Sequence, residues 1–175
     1  MCFVVGFLSE DPEPTLRLAS NRDEFYNRQG EPPALRNDGG YDFICPKDPQ
    51  GGGTWFGLNE SGLLVALTNR LDSKPLSNAP SRGTLVRGLL SETSGRLEAL
   101  EHYRSLDLER FNPHQILLLD ASGLSVYRHT LESTSREDLD SGLFYLDNHS
   151  GLVTGDDRLR KTLPVDPAAD QEQRL

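Results

Sequence analysis

Two short runs, Thr54-Trp-Phe-Gly-Leu58 and Leu63-Leu-Val-Ala-Leu-Thr68, constrain the fold more than any other feature of the chain. Each has the length of a strand and carries apolar side chains on both faces. A strand of that kind has no side suited to water, so it belongs in a sheet covered on both faces. Asn59-Glu-Ser-Gly62 between the two runs has turn chemistry and makes them a hairpin. His114–Leu119 and Leu124–Arg128 read as a further pair of strands joined by a turn at Asp120–Gly123, and Leu143–Leu146 as another strand.

The N-terminus repeats the theme. Cys2–Leu8 is a continuous apolar run, Ser9–Pro14 is a turn-forming cluster, and Thr15–Ser20 alternates. An antiparallel hairpin centred between Asp11 and Pro12 sets Cys2 opposite Asn21, so that Asn21-Arg22-Asp23-Glu24 emerges beside the start of the chain. Residues 26–53, rich in Gly, Pro and Asn, read as a long loop excursion. Ser81 is placed to cap a helix through residues 82–90, with Leu85, Val86, Leu89 and Leu90 on one face, and a second short helix runs through Leu97 and Leu100. The acidic stretches 131–140 and 164–174 read as solvated loop and tail. Residues 1–163 are thus expected to form one domain and 164–175 a polar tail.

Composition narrows the partners. The 175 residues carry 18 basic and 27 acidic side chains, a net charge of −9. That sign repels phosphate backbones and anionic lipid, so nucleic acid is not an expected partner. No apolar stretch approaches the roughly 20 residues that cross a bilayer, and Met1–Leu8 lacks the basic lead-in of a signal peptide. No stable membrane anchor is therefore expected. The 2 cysteines, Cys2 and Cys45, make no disulfide framework, which suits a cytoplasmic location. Cys45, before Pro46, reads as a small buried residue.

Most familiar catalytic motifs are missing. There is no Gly-x-Ser-x-Gly elbow, and Gly51-Gly-Gly-Thr-Trp-Phe-Gly57 fits neither a phosphate loop nor a dinucleotide fingerprint. The 4 histidines have no metal-ligand spacing, so no metal and no cofactor are expected. Cys2 is the unusual residue. A small second side chain permits removal of Met1, which leaves a thiol and a free α-amine on one residue. An α-amine with a pKa of about 7.7–8.0 can take the thiol proton, so nucleophile and base come together. The plain alternative is that Cys2 is an ordinary strand residue. The neighbours bear on the choice: Asp23 could hold the amine, Arg22 could counter developing negative charge, and Asn69 and Asn148 follow apolar strands where an amide could donate to an oxyanion. Equally, Arg22-Asp-Glu24 could be a surface ion-pair cluster, and asparagine at a strand end is a common turn former.

Met1-Cys-Phe3, Asn21-Arg-Asp-Glu-Phe25, Gly52-Gly-Thr-Trp-Phe-Gly-Leu-Asn59, Leu67-Thr-Asn-Arg70 and Ser81-Arg-Gly83, in that order, resemble the NRDE family, also called the transport-and-Golgi-organisation protein 2 family. The similarity runs from residue 1 to about 160. It implies an α+β fold: an N-terminal-nucleophile (Ntn) hydrolase-like four-layer αββα sandwich of antiparallel sheets. The penicillin and bile-salt amidase group offers the comparison of sites, and the resemblance then implies Cys2 as nucleophile, Asp23 as the amine-contacting aspartate, and Asn69 and Asn148 as the oxyanion asparagines. The amidase arginine before the aspartate falls at Ser20 in strict alignment, so Arg22 stands as a displaced substitute. The family's later Tyr-Gly-Thr-Arg segment is absent here, which gives the expectation of a C-terminally short member with an incomplete sheet. Two functions follow as expectations. One is an N-terminal-cysteine hydrolase that cleaves an amide or thioester of a small acyl substrate. The other is a non-enzymatic carrier of haem, or of an acyl-lipid or acyl-coenzyme A ligand, on the same scaffold.

Overall fold

A computed structural model describes residues 2–9, 15–71 and 75–155. Strand β1 (Phe3–Ser9) and β2 (Thr15–Asn21) form the N-terminal hairpin. They are followed by β3 (Glu31–Asn37), β4 (Asp42–Lys47), β5 (Phe56–Asn59) and β6 (Leu64–Asn69). Helices α1 (Gly83–Glu92) and α2 (Arg96–Ser105) and a 3-10 turn at Leu108–Arg110 come next. The chain then returns through β7 (His114–Asp120), β8 (Gly123–His129), β9 (Thr134–Leu139), β10 (Gly142–Asp147) and the short β11 (Val153–Thr154).

All pairings are antiparallel. Strands β3 to β9 lie in sequence order in one seven-stranded sheet, and β11-β10-β1-β2 form a second, four-stranded sheet. The doubly apolar strands explain the layering. Leu63, Val65 and Leu67 point to one face of the large sheet and pack with Leu85, Val86, Leu89 and Leu90 of α1 and Leu100 and Tyr103 of α2. Leu64 and Ala66, one residue out of phase, point the other way and meet Val4, Leu117, Leu119, Phe144 and Leu146 between the sheets. A period of two residues per face thus serves two cores with one strand. Gly6 makes the close approach possible, since a Cβ there would overlap the Phe144 ring. The chain has the antiparallel sandwich architecture of the αββα class. The described residues supply three of its layers: helices, large sheet and small sheet. No helix among them is long and apolar enough to cross a membrane.

Several elements differ from the sequence expectation. The N-terminal hairpin pairs Phe3, not Cys2, with Asn21, a shift of one residue; the tip of its turn lies outside the described residues. The excursion at 26–53 contains the hairpin β3–β4, which widens the large sheet. Strand β3 has a loop-like sequence because it is an exposed edge strand. Pro32 and Pro33 sit where the register shifts between Glu31 and Ala34, the edge-and-bulge position that tolerates proline. The acidic stretch 131–140 contains β9, another exposed edge strand, whose pairing comes from its backbone against β8 while its side chains stay in water. Helix α1 begins after Arg82 with no side-chain cap, so Ser81 does not cap it. In α2, Leu97 faces solvent, and Ala99, Leu100 and Tyr103 make the buried stripe. Cys45 is buried among the α1-side core residues. The tail at 164–174 lies outside the described residues.

Candidate active site

The two sheets are tied together by polar groups at one end of the sandwich. Gln115 of β7 donates from Nε2 to the Asp147 carbonyl of β10 at 2.6 Å and to Thr68 Oγ1 of β6 at 3.0 Å. Both Gln115 and Thr68 are buried, so these bonds sit in a low dielectric where their loss is costly. Antiparallel pairing brings the start of β1, the end of β2 and the end of β10 to this end of the small sheet, and the end of β6 and the start of β7 to the same end of the large one.

A cavity of about 280 Å³ opens there. Cys2 and Asn69 both line it, from opposite sheets. Arg22, Glu24 and Arg28 enter from the segment after β2, Asp48 and Trp55 from either side of the glycine-rich turn before β5, and Arg82 from the start of α1. The Gly53 and Gly83 backbones touch, closely enough that a Cβ on Gly53 would overlap Gly83, and Thr54 N donates to Gly83 O at 3.1 Å. The glycine-rich turn is therefore seated directly on the first turn of α1.

The charged groups form a compact network. Asp48 Oδ2 accepts from Arg28 Nη2 at 2.6 Å and lies 3.6 Å from Arg22 Nη2. Glu24 Oε2 accepts from Arg28 Nη1 at 3.0 Å and lies 3.6 Å from the same Arg22 nitrogen. The Asp48 Oδ1 accepts the N–H groups of Gln50 and Gly51 and so shapes the turn. Burial pushes the Asp48 carboxyl up, but Arg28, the Gly51 N–H and Arg22 outweigh it and hold it below the usual carboxylate range. Arg22 lies over the Trp55 ring, its guanidinium carbon 4.7 Å from the ring centroid.

Burial pushes the Cys2 thiol up, and Glu24 adds to the rise. The chain's amino terminus, Arg22 and Arg82 pull the other way without reversing it. The thiol is therefore held in its protonated form at neutral pH. No histidine lines the cavity among the described residues. Cys2 Sγ lies 3.7 Å from the main-chain carbonyl of Asp23, whose residue is otherwise exposed and does not line the cavity. Asn69 lines it with no described residue accepting from its side-chain amide. Asn148 is placed differently. It is buried, and with its amide turned to match its neighbours its nitrogen donates to Cys2 O at 3.1 Å and to Asn69 O at 3.3 Å. It ties the two strand ends together behind the cavity and does not line it.

The site thus gathers Cys2, Arg22 and Asn69 in one wall system, sets Asn148 behind them, and brings Asp23 in through its carbonyl. Sequence reasoning missed Arg28, Asp48 and Trp55 as cavity residues. The Gly52-Gly-Thr-Trp55 run is a signal for Trp55 only: the sequence reads it as a turn into a strand, and the fold also uses it, with Ser81-Arg-Gly83, to build the cavity rim.

A family model described as Transport and Golgi organisation 2 matches residues 1–165. A Mus musculus Transport and Golgi organization 2 homolog is 34% identical over 133 residues, which cover 70% of this chain and 46% of that protein. A Bos taurus homolog is 32% identical over 130 residues with the same coverage. The chain spans about half the length of the curated relatives it matches. Among solved structures, a Caenorhabditis elegans ortholog of N-acylethanolamine-hydrolyzing acid amidase superposes with a TM-score of 0.63 at 13% identity, over 86% of this chain and 71% of that one. A variant of the conjugated bile acid hydrolase of Clostridium perfringens superposes with a TM-score of 0.55 at 14% identity, over 93% and 56%. At such identities the likeness shows the fold alone, and that fold is the Ntn-hydrolase sandwich. By its sequence, the chain belongs to the Transport and Golgi organisation 2 family.

Proposed function

We propose that this chain is an N-terminal-cysteine hydrolase acting on an amide or thioester of a small acyl substrate. Removal of Met1 leaves Cys2 as the first residue. Its neutral α-amine takes the thiol proton, and Sγ attacks the acyl carbonyl to form a tetrahedral intermediate. Asn69 Nδ2, with no acceptor among the described residues, donates to the oxyanion. The protonated amine gives its proton to the departing nitrogen or sulfur, and the carbon–heteroatom bond breaks to leave a thioester on Cys2. Water activated by the same amine then attacks that thioester, releases the acid and restores the thiol. Asp23 holds the amine, Arg22 supplies positive charge beside it, and Asn148 fixes the Cys2 and Asn69 main chains relative to each other.

The observation that carries this reading is the shared cavity of Cys2 and Asn69 around a thiol whose burial disfavours spontaneous ionisation. A thiol that needs a base, in a wall without histidine, is the situation in which a base on the same residue is useful. The resemblance of the fold to amidases supports the acyl-hydrolase scaffold. The test is a panel of short acyl amides and thioesters with the parent protein and Cys2→Ala. Turnover that Cys2→Ala abolishes, with unchanged circular dichroism, is the expected result. Acyl ligands that bind and are never turned over would instead make the protein a carrier.

A further inference from the structure

The hydrolytic scheme uses Cys2, Asn69 and Arg22 and gives Arg82, which lines the same cavity, no task. Glu24 and Asp48 match Arg22 and Arg28, two carboxylates for two guanidiniums. Arg82 is the third arginine in the wall, and among the described residues no carboxylate lies within ion-pair distance of it. Its one described acceptor is the Pro113 carbonyl, which receives Nη1 at 2.9 Å. A guanidinium has five N–H donors, so most of this cavity-lining fork has no acceptor among the described residues. Holding a half-buried, unneutralised cation is costly unless something anionic offsets it. A second donor lies in the same wall: Arg22 Nη2 is buried and has no hydrogen-bond acceptor, its two carboxylate neighbours standing 3.6 Å away. The first turn of α1, which follows Arg82, carries no acidic side chain to compensate its positive end.

From this we infer that the cavity selects an acyl compound bearing a carboxylate close to its scissile carbonyl, and that Arg82 holds that carboxylate. The planar fork of arginine matches a carboxylate with two parallel hydrogen bonds. The cavity, at about 280 Å³, suits a compact headgroup. N-acyl amino acids are the simplest class with this chemistry. In a chain of net charge −9 an excess of cation within one pocket is a local arrangement that the composition does not supply. The inference rests on the reading of the Cys2 cavity as an acyl site, and a binding measurement separates it from the question of turnover.

Trp55, the single tryptophan of the chain, lines the cavity and reports occupancy by its fluorescence. Hexanoylglycine and hexanoylglycinamide, identical but for carboxylate against carboxamide, are titrated into the Cys2→Ala protein. The expected result is on the order of tenfold tighter binding of hexanoylglycine, weakening with added salt. Arg82→Gln brings the two ligands to near-equal affinity, and Arg82→Lys, which keeps the charge and loses the fork, retains part of the preference. Should the glutamine variant fail to fold, the lysine variant carries the test. Equal affinities in the Arg82 protein, no binding of either ligand, or a preference untouched in both Arg82 variants would overturn the inference. A carboxylate preference without turnover by the parent keeps this inference and removes the hydrolase; turnover without a preference does the reverse.

Discussion

Asp48→Asn isolates the charge that holds the cavity rim in place. Asparagine keeps an oxygen for the Gln50 and Gly51 N–H groups, so the turn survives. Its amide then sets a donor against Arg28 Nη2, where a carboxylate oxygen had accepted at 2.6 Å. Breaking a buried ion pair costs about 3–5 kcal/mol, whereas exposed pairs are worth about 0–1 kcal/mol. The Asp48 side chain is 12% exposed and that of Arg28 34%, so this pair falls between the limits. The expected loss at neutral pH is about 1–3 kcal/mol. Its pH dependence follows from the direction of the shift. The folded Asp48 carboxyl is held below its unfolded value, so its contribution is complete above the unfolded pKa and is lost as pH falls through the folded pKa. Urea unfolding of both proteins at about pH 7, 5 and 3.5 reads it: the difference between them holds from 7 to 5 and narrows below about 4. A gap that is constant with pH, or absent at pH 7, would rule out the ionised Asp48–Arg28 pair as its source.

Other parts of the structure make their own predictions. Leu117→Ala, at a fully buried site between the sheets, lowers unfolding free energy by about 2–5 kcal/mol, measured by urea titration. Gly53→Ala forces a Cβ into the Gly83 backbone; it lowers the thermal midpoint and weakens any ligand response of Trp55, whereas Gly52→Ala, with open space but a φ of +72°, is strained without touching α1. Burial lowers the His114 pKa to about 3, with the Asn112 carbonyl opposing and His129 and Arg82 adding. The unfolded chain therefore takes up a proton that the folded one refuses, and stability falls by about 1.4 kcal/mol per pH unit from this site as pH drops below about 6.5, a slope that His114→Gln removes in acid unfolding curves.

The apolar strands made the large sheet legible because each needed cover on both faces, and Leu63–Thr68 found it in α1 on one side and β1 and β10 on the other. The edge strands were not legible. Glu31–Asn37 and Thr134–Leu139 bury almost nothing, so their sequences carry the polarity of loops while their backbones complete the sheet. At the site, Cys2 and Asn69 could be paired from position, since each stands at the end of an apolar strand. The place of Asn148 could not, because a strand-end asparagine facing the cavity and one bonded behind it to Cys2 O have the same local sequence. Nor could the Arg28–Asp48 contact, which spans 20 residues of chain through a hairpin that the sequence concealed.

The proposed hydrolase stands on the thiol of Cys2, freed of Met1, being the nucleophile that becomes acylated. Intact-mass analysis of the purified protein, before and after treatment with a thiol-reactive acyl analogue, tests it most directly. The expected result is a mass lacking Met1 and a single label mapped to Cys2, absent in Cys2→Ala, with the buried Cys45 unlabelled. Retention of Met1, or a label on Cys45 in preference to Cys2, would contradict it.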